Sequence, residues 1–391
     1  MTKINIMYLL SFLFTLLISI SAYVNSTFLV GIISEKYVGL LYTIAAIITL
    51  ILLSRSAGML KYFGNRRLVI ILLLVNMASL VALIVSLDAK LIALSFISFV
   101  VTNTLVFLCL DVFIEHFGDP KTIGKTRGLY LTITSLAWMV SPIISTFLIT
   151  QEGGYPTIYK LALLTVIVMT VGLLFSVRKF DDRTYTRTPF LKTYEYLKTN
   201  KHMLAITMIN FILQFFFAWM VVYTPIYLHQ HIGMSWSQIG IIFTVMLTPF
   251  VIFGLPIGVL IDKYHVSKRF LLLIGFMIIS IATFSIPYIA VKSVVIWSIV
   301  LFLTRMGASI IETTSEIYFF THVKEEDTYL LGVFRDMIPV AYIVAPLIST
   351  LIFIFFPFKH LFTILAIITL AGLYYIPHLK HAHEPTIPNQ N

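Results

Sequence analysis

Charge is what this chain has least of. Asp, Glu, Lys and Arg together make up 11% of its 391 residues, against about 25% in an ordinary soluble domain. A fold with so little polar surface cannot cover its outside in water. Cysteine is scarcer still. The single Cys109 excludes an intramolecular disulfide and a cysteine metal cluster. Its place inside an apolar run reads as a small packing residue. No stretch has the form G-x-x-x-x-G-K-[ST], which argues against a nucleotide-driven pump. The histidines offer no metal site: His229 and His231 share one loop, and His378, His381 and His383 sit in the tail. Neither group has helical spacing beside a carboxylate. No metal and no cofactor is expected.

What is present is apolar. Hydrophobic residues make up 59% of the chain, and the mean hydropathy is +0.98. The natural solvent is a bilayer, which a helix crosses with roughly 20 mostly apolar residues. The net charge of +10 does not point to nucleic acid, because the basic residues sit in short loops and form no continuous face. The apolar run from Ile4 outlasts a signal-peptide core and reads as a first span.

Twelve spans follow, at about 5–30, 37–60, 68–87, 91–117, 128–150, 157–178, 203–230, 236–261, 269–290, 293–320, 329–355 and 359–378. The expected architecture is all-α and polytopic, with a first six-helix bundle over 1–178, a polar linker over 179–202, a second bundle over 203–378 and a polar tail over 379–391. Alternate loops differ sharply in basic residues. "KYFGNRR", "DPKTIGKTR", the linker, "DKYHVSKR" and "HVKEED" lie on one side. The other side holds little beyond Lys36, Lys90, Lys160, Lys292 and Lys359. About 21 of the 27 basic residues fall on the first side, which is therefore expected to be cytoplasmic, with both termini. The expected location is the plasma or inner membrane.

The chain also repeats itself. A slide of about 204 residues sets "RGLYLTITSLAWMVSPIIST" (127–146) on "LGVFRDMIPVAYIVAPLIST" (331–350), with roughly a third of the pairs identical. A slide of about 201 sets "VGLLYTI" (38–44) on "IGIIFTV" (239–245), and "AGMLKYFGNRR" (57–67) on "GVLIDKYHVSK" (258–268). Three matches in one order at nearly one offset imply duplication. Six spans is an even number, so both halves share one orientation, related by an axis along the membrane normal.

With these residues in view, the chain resembles the major facilitator superfamily of secondary transporters, over nearly its whole length. The most specific mark is the loop signature between the second and third spans of each half, roughly G-x-L-x-D-R/K-x-G-R/K-R/K. The second half carries Gly258, Leu260, Asp262 and Lys263, then Lys268 and Arg269, with His265 where the second glycine is expected. The first half keeps Gly64, Arg66 and Arg67 but has Ala57 for the first glycine and Lys61 for the acid. The resemblance implies that this loop holds the cytoplasmic gate shut, with Asp262 near Lys125 or Arg127 at the start of span 5. The alternative is a loop whose charges only set topology. The repeated phrase falls where the family's antiporter signature lies, but Ser141, Ser145 and Thr146 replace its glycines, so antiport is not inferred. Pro142 and Pro346 read as bends at a hinge and packing surface, where Ser and Thr help satisfy freed backbone groups.

Ionisable groups within the hydrocarbon are costly, which makes them candidates for function. In span 10, Arg305, Ser309, Glu312 and Glu316 recur at four, three and four residues, one helical face. Arg305 and Glu312 stand about 10 Å apart along the axis, a poor direct pair. Arg305 would bind an anionic substrate group or a carboxylate from another helix, and Glu312 would take and release a proton. The competing reading is a static ion network that includes Glu316. In span 4, Asp111 and Glu115 lie one turn apart, and with Arg127 they read as a structural cluster at the gate. Arg335 and Asp336 sit at comparable depth in span 11. The resemblance implies that spans 1, 4, 7 and 10 line the cavity. That makes Asn25, Asn210 and Gln214 natural substrate contacts.

The expected function is secondary transport of a small solute by alternating access, with proton coupling through Glu312. No enzymatic activity is expected, and the partners are solute, protons and membrane lipid, with the protein a monomer. A lipid flippase or membrane-embedded enzyme would need a polar cluster at headgroup depth, for which only Asp111, Glu115 and His116 offer themselves. A non-transporting receptor or scaffold would lack the buried polar groups that span 10 keeps.

Overall fold

The computed structural model describes residues 3–117, 123–150, 154–177, 196–322 and 329–380. Most of the linker and of the tail therefore lies outside the described residues. Within a membrane every backbone polar group must be satisfied inside its own segment, and the described chain accordingly forms helices throughout.

Twelve of them are long and apolar enough to cross a bilayer. They are α1 (Lys3–Ala22), α2 (Glu35–Ser54), α3 (Asn65–Val85), α4 (Ala89–Phe117), α5 (Ile123–Thr150) and α6 (Gly154–Ser176). The second six are α7 (Lys201–Ile226), α8 (Trp236–Asp262), α9 (Lys268–Ser285), α10 (Val294–His322), α11 (Tyr329–Phe355) and α12 (His360–Leu370), the last completing its span through short helical turns that run to His378. The spans read from hydropathy are all present, with local breaks. The first is interrupted at Tyr23–Val24 before a short helix over Asn25–Val30, and the second at Arg55 before one over Ser56–Phe63. α7 runs into a π-turn over Tyr227–His231, directly after Pro225, where the missing amide loosens the hydrogen-bond ladder.

The chain divides into two compact units. The first comprises 1–187, 221–244 and 346–350; the second comprises 188–220, 245–345 and 351–391. In the first, α1 packs on α4, α5 and α6, α3 on α4 and α6, and α2 on α4. In the second, α9 packs on α10 and α12, which repeats the pairing of α3 with α4 and α6 six helices earlier.

The two equivalent seams are held by different chemistry. Between α3 and α4, the fully buried Asn76 donates through Nδ2 to Thr102 Oγ1 and to Asn103 Oδ1, each at 2.8 Å. Ser79 adds a bond to Ser98 at 2.9 Å. Between α9 and α10 the backbones meet at glycines. A methyl on Gly307 would lie 2.7 Å from Gly275 O and 2.7 Å from Ile279 N. With no hydrophobic drive between helices in lipid, polar bonds and small-residue contacts are the two available ways to hold such a crossing. Large apolar side chains such as Ile51, Leu74, Phe147, Phe175, Ile281 and Phe355 are exposed, as a surface solvated by acyl chains requires.

The signature loops carry a second trace of duplication. Gly64 has φ 74° and His265 has φ 52°, and these two positions are the 201-residue equivalents. Both positions have a positive φ, which glycine adopts freely and a histidine does not; at Gly64 it is paired with an extended ψ of 151°. The strain is on the order of 1–2 kcal/mol.

Pro142 leaves the carbonyl of Trp138 without its helical amide. Ser141 Oγ donates to that oxygen at 3.0 Å. Ser145 Oγ bonds both Ser141 O (2.6 Å) and Ile20 O on α1 (2.7 Å). In the second copy Ser349 and Thr350 donate to Pro346 O at 2.9 and 2.8 Å.

Candidate functional site

A buried polar group in the second unit is built on α10. Arg305 is 2% exposed, deep within the helix. Its guanidinium carbon lies 5.3 Å from the ring centre of Phe216 and 5.2 Å from that of Phe217. A cation over a desolvated ring gains about 2 kcal/mol per contact. The ring of Phe217 meets Phe250 of α8 at 5.9 Å, so the aromatic wall spans two helices.

One turn further, the buried Ser309 donates to Pro249 O of α8 at 3.4 Å. Glu312 follows. Its side chain is partly buried and stands in the field of Glu316 and Arg305. Glu316 itself is exposed. The face read from the four-three-four spacing is therefore graded from a buried cation to an exposed carboxylate.

On α7, Asn210 is buried and donates through Nδ2 to Phe334 O of α11 at 2.7 Å. Gln214 Nε2 donates to Asn210 Oδ1 at 3.3 Å. Asn210 is thus committed to holding α11, and the half-buried Gln214 carries the accessible end of the pair.

Asn25 belongs to the first unit, where its Oδ1 accepts from the buried Tyr159 hydroxyl at 2.9 Å. The expected meeting of Asp262 with Lys125 or Arg127 falls on side chains outside the described residues, as do the side chains of Glu115 and Arg335. Lys263 is exposed with its ammonium 5.7 Å from the Tyr264 ring. Asp111 and Asp336 are both partly buried. Gly258 has open space where a Cβ would sit, so no close helix approach depends on it there. Cys109 is fully buried, and its carbonyl accepts from Asn65 Nδ2 at 3.0 Å.

Phe216 and Phe217 were not legible as site residues, although "QFFFAW" runs through a span that polar residues had already marked. The signal available was chemical. A mid-span guanidinium favours π faces, and three adjacent phenylalanines are the richest local supply of them.

Comparisons with known proteins fit this architecture. A family model described as Major Facilitator Superfamily matches residues 7–326 and 225–391. No curated protein matches the sequence significantly. Among solved structures, the nucleoside transporter NupG is similar at TM-score 0.75 and 11% identity, over 96% of this chain and 98% of that one. A bacterial homologue of the iron transporter ferroportin, in an inward-facing state, is similar at TM-score 0.74 and 13% identity, over 96% and 98%. A bacterial homologue of the human lysosomal transporter Spinster gives 0.72 and 11%, over 96% and 93%. At such identities the likeness is one of fold.

Proposed function

The chain belongs to the major facilitator superfamily, an integral membrane secondary transporter, and from that premise we propose that it moves a small anionic solute together with a proton. The observation that carries the reading is Arg305, a cation 2% exposed between two phenylalanine rings and on one helix face with Glu312. A guanidinium held this rigidly is a fixed anchor for a carboxylate or phosphate. It also acts on the Glu312 carboxylate two turns away.

The coupling follows from shared use of one cation. Arg305 and Glu312 share one face of α10, and an anion at Arg305 together with a proton at Glu312 leaves the net charge of the site unchanged. Anion and proton load together and leave together. Phe216 and Phe217 keep the guanidinium in place, Asn210 holds α11, and Gln214 offers amide contacts to the solute. Two halves, 1–178 and 203–378, joined by the linker 179–202, alternate access to this site. The loops rich in Lys and Arg, with both termini, face the cytoplasm across the plasma or inner membrane.

Uptake into proteoliposomes, with and without an inward proton gradient, tests this over a panel of carboxylates, phosphates and neutral solutes. Glu312→Gln is expected to keep solute exchange and lose gradient-driven accumulation. Arg305→Ala is expected to lose both. If both variants accumulate solute like the unmodified protein, the assignment is wrong.

A further inference from the structure

We propose that the first-half loop after α2 is a docking face for anionic lipid: Arg55, Lys61, Arg66 and Arg67 meet the headgroup phosphates, and Tyr62 and Phe63 seat at the bilayer surface. Only the membrane setting is required, whatever solute the protein moves. The whole loop belongs to the first compact unit.

The loop is charged without counter-charge. No Asp or Glu occurs from Lys36 to Leu87. The fold brings none either: among the described residues no carboxylate pairs with Arg55, Lys61, Arg66 or Arg67. Arg66 is half-buried, and its Nε meets no acceptor among the described residues. Leaving such a donor unmet is costly. Phosphate oxygens suit a guanidinium fork, and at this depth the bilayer supplies them.

Depth follows from the break in the second span. The 20 residues of α2 rise about 30 Å, enough to cross the hydrocarbon. Arg55 comes next, with φ −101° and ψ 2°, and interrupts the helix. The chain resumes as the short helix Ser56–Phe63, which packs on α3. Leu60 of that helix is 4% exposed and anchors it inward. Lys61, Tyr62 and Phe63 are exposed, Tyr62 to 82%, with the two rings 4.8 Å apart. Aromatic rings beside cations are what a lipid–water interface favours.

The second copy lacks this arrangement. There α8 runs unbroken from Trp236 to Asp262, through Pro256, the 201-residue equivalent of Arg55. Asp262 stands where the first copy has Lys61, and Ser267 where it has Arg66. Lys268, the equivalent of Arg67, is engaged within the protein. Its Nζ donates to Thr321 Oγ1 at 3.1 Å and lies 5.8 Å from the centre of the Tyr318 ring. A loop whose charges only set topology would need neither the break nor the exposed aromatic pair.

The test measures lipid rather than transport. The purified full-length protein is titrated with dioleoylphosphatidylglycerol or dioleoylphosphatidylcholine, and bound lipid is counted by native mass spectrometry. Each cation at an anionic surface strengthens attraction about fivefold, so Arg55→Gln with Lys61→Gln should weaken phosphatidylglycerol about 25-fold and phosphatidylcholine less than about twofold. Lys61→Asp, which copies the acid of the second loop, should by itself weaken phosphatidylglycerol at least about fivefold. Lys198→Gln with Lys201→Gln removes two exposed lysines of the second unit and should change neither lipid. The buried Cys109 must stay unreactive to maleimide in every variant, as the check on folding. Phosphatidylglycerol binding that persists in Lys61→Asp, or that falls as far in the Lys198, Lys201 pair, overturns the proposal. So does displacement of the lipid by an equal concentration of water-soluble glycerophosphoglycerol, which would make this a site for a free phosphate ester. Because no solute is involved, failure of the anion-proton reading leaves the result unaffected.

Discussion

Gly307→Ala should leave the protein folded and remove most of its transport. The added methyl would sit 2.7 Å from Gly275 O, 2.7 Å from Ile279 N and 3.0 Å from Ile279 Cβ. Two of these are backbone atoms, which cannot swing aside. Carbon–oxygen contacts rest at about 3.3–3.6 Å, so the crossing of α9 and α10 must widen by roughly 0.6–0.9 Å. Overpacking of this kind costs about 1–3 kcal/mol. Alanine recovers about 1 kcal/mol of helix propensity over glycine. The net destabilisation is therefore only about 0–2 kcal/mol. Function is more sensitive, because Arg305 lies two residues before Gly307 and Glu312 five after. A misplacement on the order of 1 Å costs about 100-fold in rate. Thermal unfolding of the purified protein and initial uptake into proteoliposomes separate the two effects. Gly254→Ala is the control, since nothing lies within 4 Å of a Cβ there, and it should change neither. Uptake within twofold of the unmodified protein in Gly307→Ala would refute the reasoning, because it would mean that α10 does not have to be held in register.

Other outcomes follow from single features. His265→Gly should raise thermal stability by about 0.5–1 kcal/mol, the left-handed strain released less the entropy glycine adds to the unfolded chain; an unchanged melting temperature would count against strain at φ 52°. Asn210→Leu strips the Phe334 carbonyl of its 2.7 Å donor, and about 1–3 kcal/mol should be lost, while Gln214→Leu, at a half-buried position, should cost less in stability than in uptake. Asn76→Leu breaks both bonds of the α3–α4 seam and should lower the melting temperature more than Asn103→Leu, which breaks one. Glu35→Gln should weaken the tie to His231 by only about 0.2–1 kcal/mol, since the pair is partly solvated; a loss above about 2 kcal/mol in thermal unfolding would refute a solvent-screened pair.

Hydropathy along the chain determined the span count, the membrane setting and, through two nearly constant offsets, the duplication. These are local properties. A segment in lipid must satisfy its own backbone and present apolar side chains, so each span announces itself without reference to the others. The face of α10 was legible for the same reason, because Arg305, Ser309, Glu312 and Glu316 follow helical spacing within one segment. The conformation at His265 was hidden in the residue type but marked by its place in the signature, opposite Gly64.

Only the tertiary structure decided what each face meets. That Arg305 lies against Phe216 and Phe217, that Asn210 is spent on the backbone of α11, and that Asn25 is bound to Tyr159 all depend on the rotation and depth of separate helices. No pattern within one helix encodes those values. The repeated phrase shows the difference most plainly. Sequence alone established that "VSPIIST" and "VAPLIST" are two copies of one element. Packing placed Gly240 against Thr146 of the first and Gly39 against Pro346 of the second. Between helices in lipid, van der Waals fit rather than hydrophobic burial selects the partner, and fit is a property of two surfaces together.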